Sequence, residues 1–496
     1  RGQEQEAAYA VPLDFTVKED LTRLIRVSEA VPPERLAALP EGVTAEPVLR
    51  LAGNVGRVGG TTGIAVLGLD PGVIPELRGW RGDFAALSPN ALARRIEPAE
   101  DGSPRGPVVP ADAAALELDA QGSPVLITAS VRTTRGDFAQ ILLGQPGLET
   151  TKTLRAPVPA EARGGRIVSL TISPRTRVQE RGGEGRPLDL DLRLGGLTAE
   201  TQSGRSIPLG TYDGWTAVNG IDATTRPDGT TLTGTITEQL ASRFRPRQPS
   251  DDELARVIAS PAVAAAAGPG GELPLRIAGE QVVVRVAAVA SRFPGAGADD
   301  FVVADRALLG TALNAQRPGI AVPNELWLGA GPQERPELAR ILDRPPFHVL
   351  SVASREQVET SLRHDPLARG TLLTLLAGAL VALGLALVGI LLGVVSDVRD
   401  ERGELDDLEA QGARPALLRR VVRLRSLVVV AAGLLGGLIT AAALAAIVVD
   451  LVTVTADAAT TGLPLHTAVD WPVLAAALAA GALAAAALVT AASRRI

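Results

Sequence analysis

Little in this chain has the residue types or spacing that bond-making chemistry needs. Its three histidines, His348, His364 and His466, stand far apart, and no His-Glu-x-x-His run sets two imidazoles one helical turn apart to share a metal. A phosphate-cradling loop needs Gly-Lys-Ser/Thr, and neither lysine, Lys18 or Lys152, follows a glycine. The run Gly53-Asn54-Val55-Gly56-Arg57-Val58-Gly59-Gly60 is rich in glycine but lacks the Gly-x-Gly-x-x-Gly spacing, and it reads as a turn. With no cysteine there is no thiol nucleophile, thiolate metal site or disulfide. The acidic pair Asp299-Asp300 lies in a polar stretch and reads as solvated, and no Ser/His/Asp nucleophile context is visible. The sequence thus predicts no catalytic residue, no cofactor and no metal on this chain. A net charge of −6 argues against nucleic acid as a partner, since that needs a basic patch.

The residues whose spacing does suggest a contact lie between 396 and 415. The segment reads Ser-Asp-Val-Arg-Asp-Glu-Arg-Gly-Glu-Leu-Asp-Asp-Leu-Glu-Ala-Gln-Gly-Ala-Arg-Pro. Val398, Leu405, Leu408 and Gln411-Gly412 fall on one side at helical spacing, with charges elsewhere. Gly412 is a helix stop and Pro415 a first residue for the next helix. One reading is a short helix lying across a membrane face to receive a cytoplasmic partner. The other is a solvated charged connector that only fixes topology.

That choice depends on the elements around the segment. Thr371–Val395, Ser426–Val449 and Pro472–Ala492 are apolar and carry no charge. A helix needs about 20 such residues to cross a bilayer, so all three read as transmembrane. The 396–425 loop holds Arg399, Arg402, Arg414, Arg419, Arg420, Arg423 and Arg425, whereas Asp450–Trp471 holds no Lys or Arg. Arg-rich short loops stay cytoplasmic, so 396–425 and the Arg494-Arg495 tail are predicted inside. Trp471 then sits where an outer aromatic anchor belongs, and residues 1–370 are extracytoplasmic. Residue 1 is Arg with no signal peptide before it, so a further transmembrane helix is expected directly upstream. Gly389 with Gly393, and Gly433 with Gly437, are spaced four apart, as close helix packing allows.

The first 370 residues exceed one ordinary domain. Tyr9–Val17 and Ile64–Leu69 read as strands, Pro33–Leu39 and Asn90–Arg95 as short helices. From 125 to 237 the runs VLITASVRT, RIVSLTIS, LDLDLRL and TLTGTIT alternate apolar and polar between turn-rich stretches, which suggests a β-sandwich or jelly roll. A helix over Asp251–Ile258, an Ala/Gly/Pro linker and strands at Gln281–Ala290, Phe301–Asp305 and Glu325–Leu328 follow. The predicted fold is therefore a membrane protein: three C-terminal transmembrane helices plus a large extracytoplasmic α+β domain with an inserted, jelly-roll-like β-sandwich. The boundaries are 1–110 and 246–365 for the α+β domain, 111–245 for the insertion and 366–496 for the membrane part. Abundant Ala, Gly and Pro with arginine far ahead of lysine suggest a high-GC bacterial source.

Two patterns carry a resemblance. Arg-x-x-Arg-x-Glu-Leu-x-x-Leu-x-Ala-x-Gly-Ala, from Arg399 to Ala413, and Gly-x-x-Gly-Gly, from Gly433 to Gly437, resemble the FtsX-like permeases of ABC transporters, the group of the MacB and Lol-type permeases. In the outer region, Leu275–Gly279, Arg292-Phe293-Pro294-Gly295 and Asn324-Glu325-Leu326-Trp327 are similar to the membrane-proximal part of actinobacterial-type members. Many members have a Glu before the third span, where this chain has Arg423-Leu424-Arg425-Ser426. The resemblance implies a multi-pass protein of the bacterial plasma membrane, in contact with lipid and paired with a second permease module or chain. It implies two copies of a separate cytoplasmic ATPase, so that this chain is not itself an enzyme. Arg399, Arg402, Glu404, Leu405, Leu408 and Gly412 are then the expected ATPase contact, and motion is relayed to the outer domain for export or mechanotransmission, for instance to a cell-wall hydrolase. Spans free of charged residues fit a relay better than an ion pathway. The alternatives are a membrane-anchored protein whose β-sandwich binds glycan, and an extracytoplasmic hydrolase, which lacks a catalytic constellation.

Overall fold

The computed structural model describes residues 2–20, 22–23, 25–55, 62–174, 187–237, 241–364, 366–400, 403, 415–448 and 471–492. The chain divides into two compact units, residues 7–358 and residues 1–6 with 359–496.

The first unit is β-rich and is organised around one long strand, Thr44–Val55. Its second half pairs with Thr62–Leu69. The order continues through Phe301–Asp305, Arg256–Ala259, Glu280–Val289 and Glu272–Ile277. Glu272–Ile277 returns to pair with Gly53–Val55, so these six strands close into a ring. Two of its pairings are parallel. Phe301–Asp305 is buried along its whole length, as a strand covered on both faces must be. One face of the ring is covered by the helix Arg306–Gln316 through Leu308, Leu309 and Leu313. The other is covered by Pro89–Ile96 through Leu92, Ala93 and Ile96. Asp305 caps the first helix, accepting from the Leu308 N–H at 2.7 Å.

The first half of the long strand pairs instead with Glu325–Gly329, then Phe15–Lys18, then Ser351–Ser354. This three-strand extension has its own core of Phe15, Val17, Leu326, Leu328, Leu338 and Phe347.

Residues 113–246 form two further antiparallel sheets around one shared core. One runs Ile221–Arg226, Gly229–Ile236, Leu188–Thr201, Ala113–Gly122, Lys152–Pro157, with Ser206–Pro208 beside Leu188–Thr201. The other runs Trp215–Val218, Ser242–Pro246, Arg166–Pro174, Val125–Arg132, Phe138–Gly144. Alternation sets the inside: Val125, Ile127, Ala129 and Val131 are fully buried, as are Leu192 and Leu194, while Asp191 and Arg193 face out. The outer face of the five-stranded sheet lies against Arg306–Gln316, where Phe138 and Val168 meet Thr311, Asn314 and Ala315.

Three local readings are corrected. Tyr9 and Ala10 end the helix Gly2–Ala10, and the strand starts only at Phe15, because Pro12 cannot donate a ladder hydrogen bond. Asp251–Ile258 is not a helix. One turn, Pro249–Asp252, gives way to the strand Arg256–Ala259, whose Val257-Ile258 pair is buried on both faces. Gly53, Asn54 and Val55 belong to the long strand rather than to a turn, and 56–61 lie outside the described residues. The acidic pair is solvated at Asp299, which is exposed and pairs with Arg292, while Asp300 also accepts from the Ser260 hydroxyl at 3.0 Å.

In the second unit the helices are Pro366–Asp400, Pro415–Val448 and Trp471–Ala492. Leu373–Gly393 and Trp471–Ala491 are each long and apolar enough to cross a membrane, and Leu427–Ala443 is a shorter apolar stretch. Trp471–Ala492 packs on both other helices.

Candidate coupling site

The first unit begins and ends at one charged cluster. Asp14 lies between the apolar residues Leu13 and Phe15, and its side chain is 2 % exposed. A carboxylate so buried must be paired. Arg335 Nε and Arg355 Nη2 each lie 2.9 Å from Oδ1, and Arg78 Nη2 lies 3.1 Å from Oδ2. The Ala330 N–H donates to Oδ2 at 3.0 Å. Each partner is held by a different element. Arg335 starts the helix Arg335–Leu342, Arg355 starts Arg355–Arg363, and Arg78 follows the 3₁₀ turn Pro71–Glu76. The backbone repeats the link, since the Arg355 N–H donates to the Asp14 carbonyl at 3.0 Å. Phe15–Lys18 and Ser351–Ser354 then pair in register, Phe15 opposite Ser354 and Val17 opposite Val352.

A second cluster lies on the neighbouring strand. Arg50 grips Glu325 with two nitrogens, at 2.6 and 3.2 Å, and donates to the carbonyls of Ala296 and Gly295 at 2.9 and 2.6 Å. Lys18 Nζ is 3.3 Å from the same carboxylate, and the Trp327 indole donates to it at 3.2 Å. Burial pushes the Glu325 carboxyl up, but Arg50 above all, then Lys18 and Trp327, outweigh it and hold the group below the usual glutamate range. Asn324 locks the register: its Oδ1 accepts from Arg50 N–H and its Nδ2 donates to Arg50 O, both at 2.8 Å. The segments Arg292–Gly295 and Asn324–Trp327, far apart in sequence, therefore meet here. Gly295 has φ +79°, and a Cβ on it would lie 2.5 Å from Pro12 Cγ and 2.8 Å from Trp327 Cη2. Only glycine fits this contact.

The predicted contact residues are placed unevenly. Arg399 is exposed on the last turns of Pro366–Asp400. Arg402, Glu404, Leu405, Leu408 and Gly412 lie outside the described residues. Pro415 is the first residue of its helix. Gly389 and Gly393 share Pro366–Asp400, and Gly433 and Gly437 share Pro415–Val448. A Cβ on any of the four would meet nothing within 4 Å. Leu373, Leu376, Leu380, Val381 and Leu385 are all more than half exposed, apolar surface that only lipid or another helix can cover.

Sequence reasoning missed Asp14, Arg50, Arg78, Arg335 and Arg355. The one local signal is a charge set inside an apolar stretch, as at Leu13-Asp14-Phe15, and it does not name the partners.

Two comparisons with known proteins bear on this arrangement. No curated protein matches the chain. Residues 376–496 match the model of the FtsX-like permease C-terminal domain. That match and the two apolar helices mark a membrane protein with a large β-rich domain ahead of its helices. The C-terminal quarter of the chain is thus similar to the C-terminal domain of FtsX-like permeases.

Proposed function

We propose that the chain is the permease subunit of an ABC transporter of the FtsX/MacB type, driven by ATP hydrolysis on a separate cytoplasmic subunit pair. The observation that carries this reading is the family match over 376–496. Three spans cross the bacterial plasma membrane, the middle one formed within Pro415–Val448. The arginine-rich 396–425 segment faces the cytoplasm, and residues 1–370 lie outside. Leu405 and Leu408 supply apolar anchors to the ATPase, with Arg399, Arg402, Glu404 and Gly412 around them. The uncovered glycine pairs suit close approach of a second permease module or chain.

The clamp of Arg78, Arg335 and Arg355 on Asp14 supports a relay. The chain runs from Ser351–Ser354 through Arg355–Arg363 into Pro366–Asp400. Movement of that long helix reaches Arg355 first, and through Asp14 it reaches Phe15–Lys18. The strands at both ends of the outer unit then move together, for export or for control of an outer partner such as a cell-wall hydrolase. Glycan binding by the sandwich has less support. Sugars stack on exposed rings, and Tyr212, Trp215 and Phe244 pack on one another in the sandwich core.

The test is co-purification of the full-length protein from membranes with an ATPase assay, comparing wild type with Leu405→Asp/Leu408→Asp. An ATPase that accompanies wild type and is lost from an equally well inserted variant is the expected result. If no ATPase accompanies either protein, the permease reading fails.

A further inference from the structure

The apolar cores of the sandwich and the ring do not run into one another. The sandwich core draws only on residues between Val109 and Phe244, and the two clusters of the ring draw on none of these. At the joint, Phe138 and Val168 meet Thr311, Asn314 and Ala315 of the helix Arg306–Gln316. Polar groups are shut in beside this small contact. Ser130 and Ser169 stand opposite one another in the sheet, both 1 % exposed, and neither belongs to the sandwich core. The Ser130 hydroxyl donates to Gln140 at 2.9 Å, but the Ser169 hydroxyl is buried without a hydrogen bond. A cavity of about 250 Å³ adjoins the contact, reaching from Arg245 to Gln281, Ala312, Ala315 and Gln316. A polar, incompletely packed interface of this kind permits the two bodies to move against one another.

Charge opposes the contact at both ends of that helix. Arg132 of the sandwich faces Arg306, the first helical residue, and also Arg166. Arg243 of the sandwich faces Arg317, which caps the other end, together with Arg245 and Glu280. The ring's carboxylates are taken by the ring's own arginines: Arg306 holds Glu46 at 3.6 Å, and Arg317 holds Glu280 at 3.3 Å. Among the described residues neither Arg132 nor Arg243 forms an ion pair, and Arg243 Nε is buried without a hydrogen bond. Burial first, then the neighbouring arginines, lowers both pKa values, against the pull of Glu280 on Arg243. Like charges brought together away from water repel more strongly than at the surface.

The chain passes between the two bodies at two places, residues 97–112 and 247–255. Gln248 clasps these crossings together. Its Oε1 accepts from the Arg105 N–H and its Nε2 donates to the Arg105 carbonyl, both at 2.9 Å. Arg105 also pairs with Asp252 at 3.2 Å. The first crossing is pinned to the ring's helix, where the Thr311 hydroxyl donates to the Gly102 carbonyl at 2.6 Å. Firm fastening at the crossings and weak fastening beyond them is the layout of a hinge. We propose that the sandwich is a hinged body, which swings off the helix Arg306–Gln316 about the Arg105–Gln248 clasp while its own core stays folded. The repulsion between Arg132 and Arg306 sets how readily it opens. The swing belongs to the folded chain itself and does not rest on the permease reading.

The chain has no cysteine, so a single introduced thiol reports its own exposure. Ser169→Cys places one in the joint. Ala129→Cys, on the neighbouring strand but fully buried in the sandwich core, reports unfolding of the sandwich. The measurement is the rate at which a maleimide labels each thiol in the folded, detergent-solubilised full chain. Ser169→Cys is expected to react about a hundredfold faster, because opening the joint takes less free energy than unfolding the sandwich. Adding Arg132→Glu is expected to slow Ser169→Cys about tenfold, since it turns the repulsion from Arg306 into an attraction. Equal rates for the two thiols, or no slowing by Arg132→Glu, overturns the hinge. Should Arg132→Glu fail to fold, Arg132→Gln takes its place: it removes the repulsion alone, about threefold slowing is expected, and no slowing overturns the hinge. Should Ala129→Cys fail to fold, the reference is the unfolding rate of Ser169→Cys itself, followed by circular dichroism. Labelling no faster than that unfolding likewise overturns the hinge.

Discussion

Arg355 reaches Asp14 at 2.9 Å although 341 positions separate them in the chain. Asp14 precedes the first strand of the first unit, and Arg355 opens the helix that leads on toward Pro366–Asp400. A contact between those two places makes one mechanical joint of both ends of the unit. The carboxylate is shared with Arg335 and Arg78, so the joint also fixes the helix Arg335–Leu342 and the segment after Pro71–Glu76.

Asp14→Asn leaves three guanidiniums around a neutral amide in a buried place. The expected loss is about 3–5 kcal/mol of the first unit's stability, the range for breaking a buried pair on one side. Arg355→Gln is expected to cost less, because two arginines remain. Denaturant unfolding of the two variants and their double mutant gives the coupling, expected at about 1–3 kcal/mol for groups in one network. Additive losses would show that Asp14 and Arg355 do not act as a unit.

Gly295→Ala tests the junction of the two segments that carried the resemblance. The new methyl would meet Pro12 and Trp327, and the backbone there is left-handed. Trp327 is fully buried and cannot swing aside. A loss of about 2–4 kcal/mol is expected from overpacking and strain together. Near-ultraviolet circular dichroism should report it as well, through the displaced indole. An unchanged spectrum and midpoint would mean that the contact relaxes freely.

The sequence was legible where burial follows a period. Val125–Arg132 and Leu188–Leu194 alternate because one face of each strand meets the sandwich core, and the apolar helices Leu373–Gly393 and Trp471–Ala491 stand out because they carry no charge. Legibility failed at Val257-Ile258, where a strand covered on both faces shows no alternation. It failed again at Tyr9, where helix and strand meet within a few residues. The clamp was invisible for another reason. Asp14, Arg78, Arg335 and Arg355 are ordinary charges one by one, and only the topology brings them together. Glu325 and Trp327 were noticed as part of a pattern, but nothing local points from them to Arg50.

Ala278 offers a gain rather than a loss. It and Gly279 form the two-residue turn between Glu272–Ile277 and Glu280–Val289, and both have positive φ, +49° and +93°. Asparagine tolerates that position better than alanine, and Asn-Gly is the preferred pair for this turn. Ala278 is exposed, so no packing opposes the change. Ala278→Asn is expected to raise stability by about 0.5–1 kcal/mol, read as a higher denaturant midpoint with an unchanged slope.

Glu325 ties the first unit to pH. Its carboxyl is held below the usual glutamate value of about 4.3, so the folded state binds its proton less readily than the unfolded chain does. Stability from the Arg50–Glu325 pair is therefore fully present above that value and is lost as pH falls through the lower folded value. Glu325→Gln removes the titration and leaves Arg50 a neutral amide oxygen in place of the carboxylate, beside the carbonyls of Gly295 and Ala296. The variant is expected to be about 2–4 kcal/mol less stable near pH 7. The gap between wild type and variant should shrink on acidification, beginning below about pH 4.5, with other carboxylates cancelling in the difference. A gap that stays constant down to pH 3 would show that Glu325 contributes its shape and hydrogen bonds but not its charge.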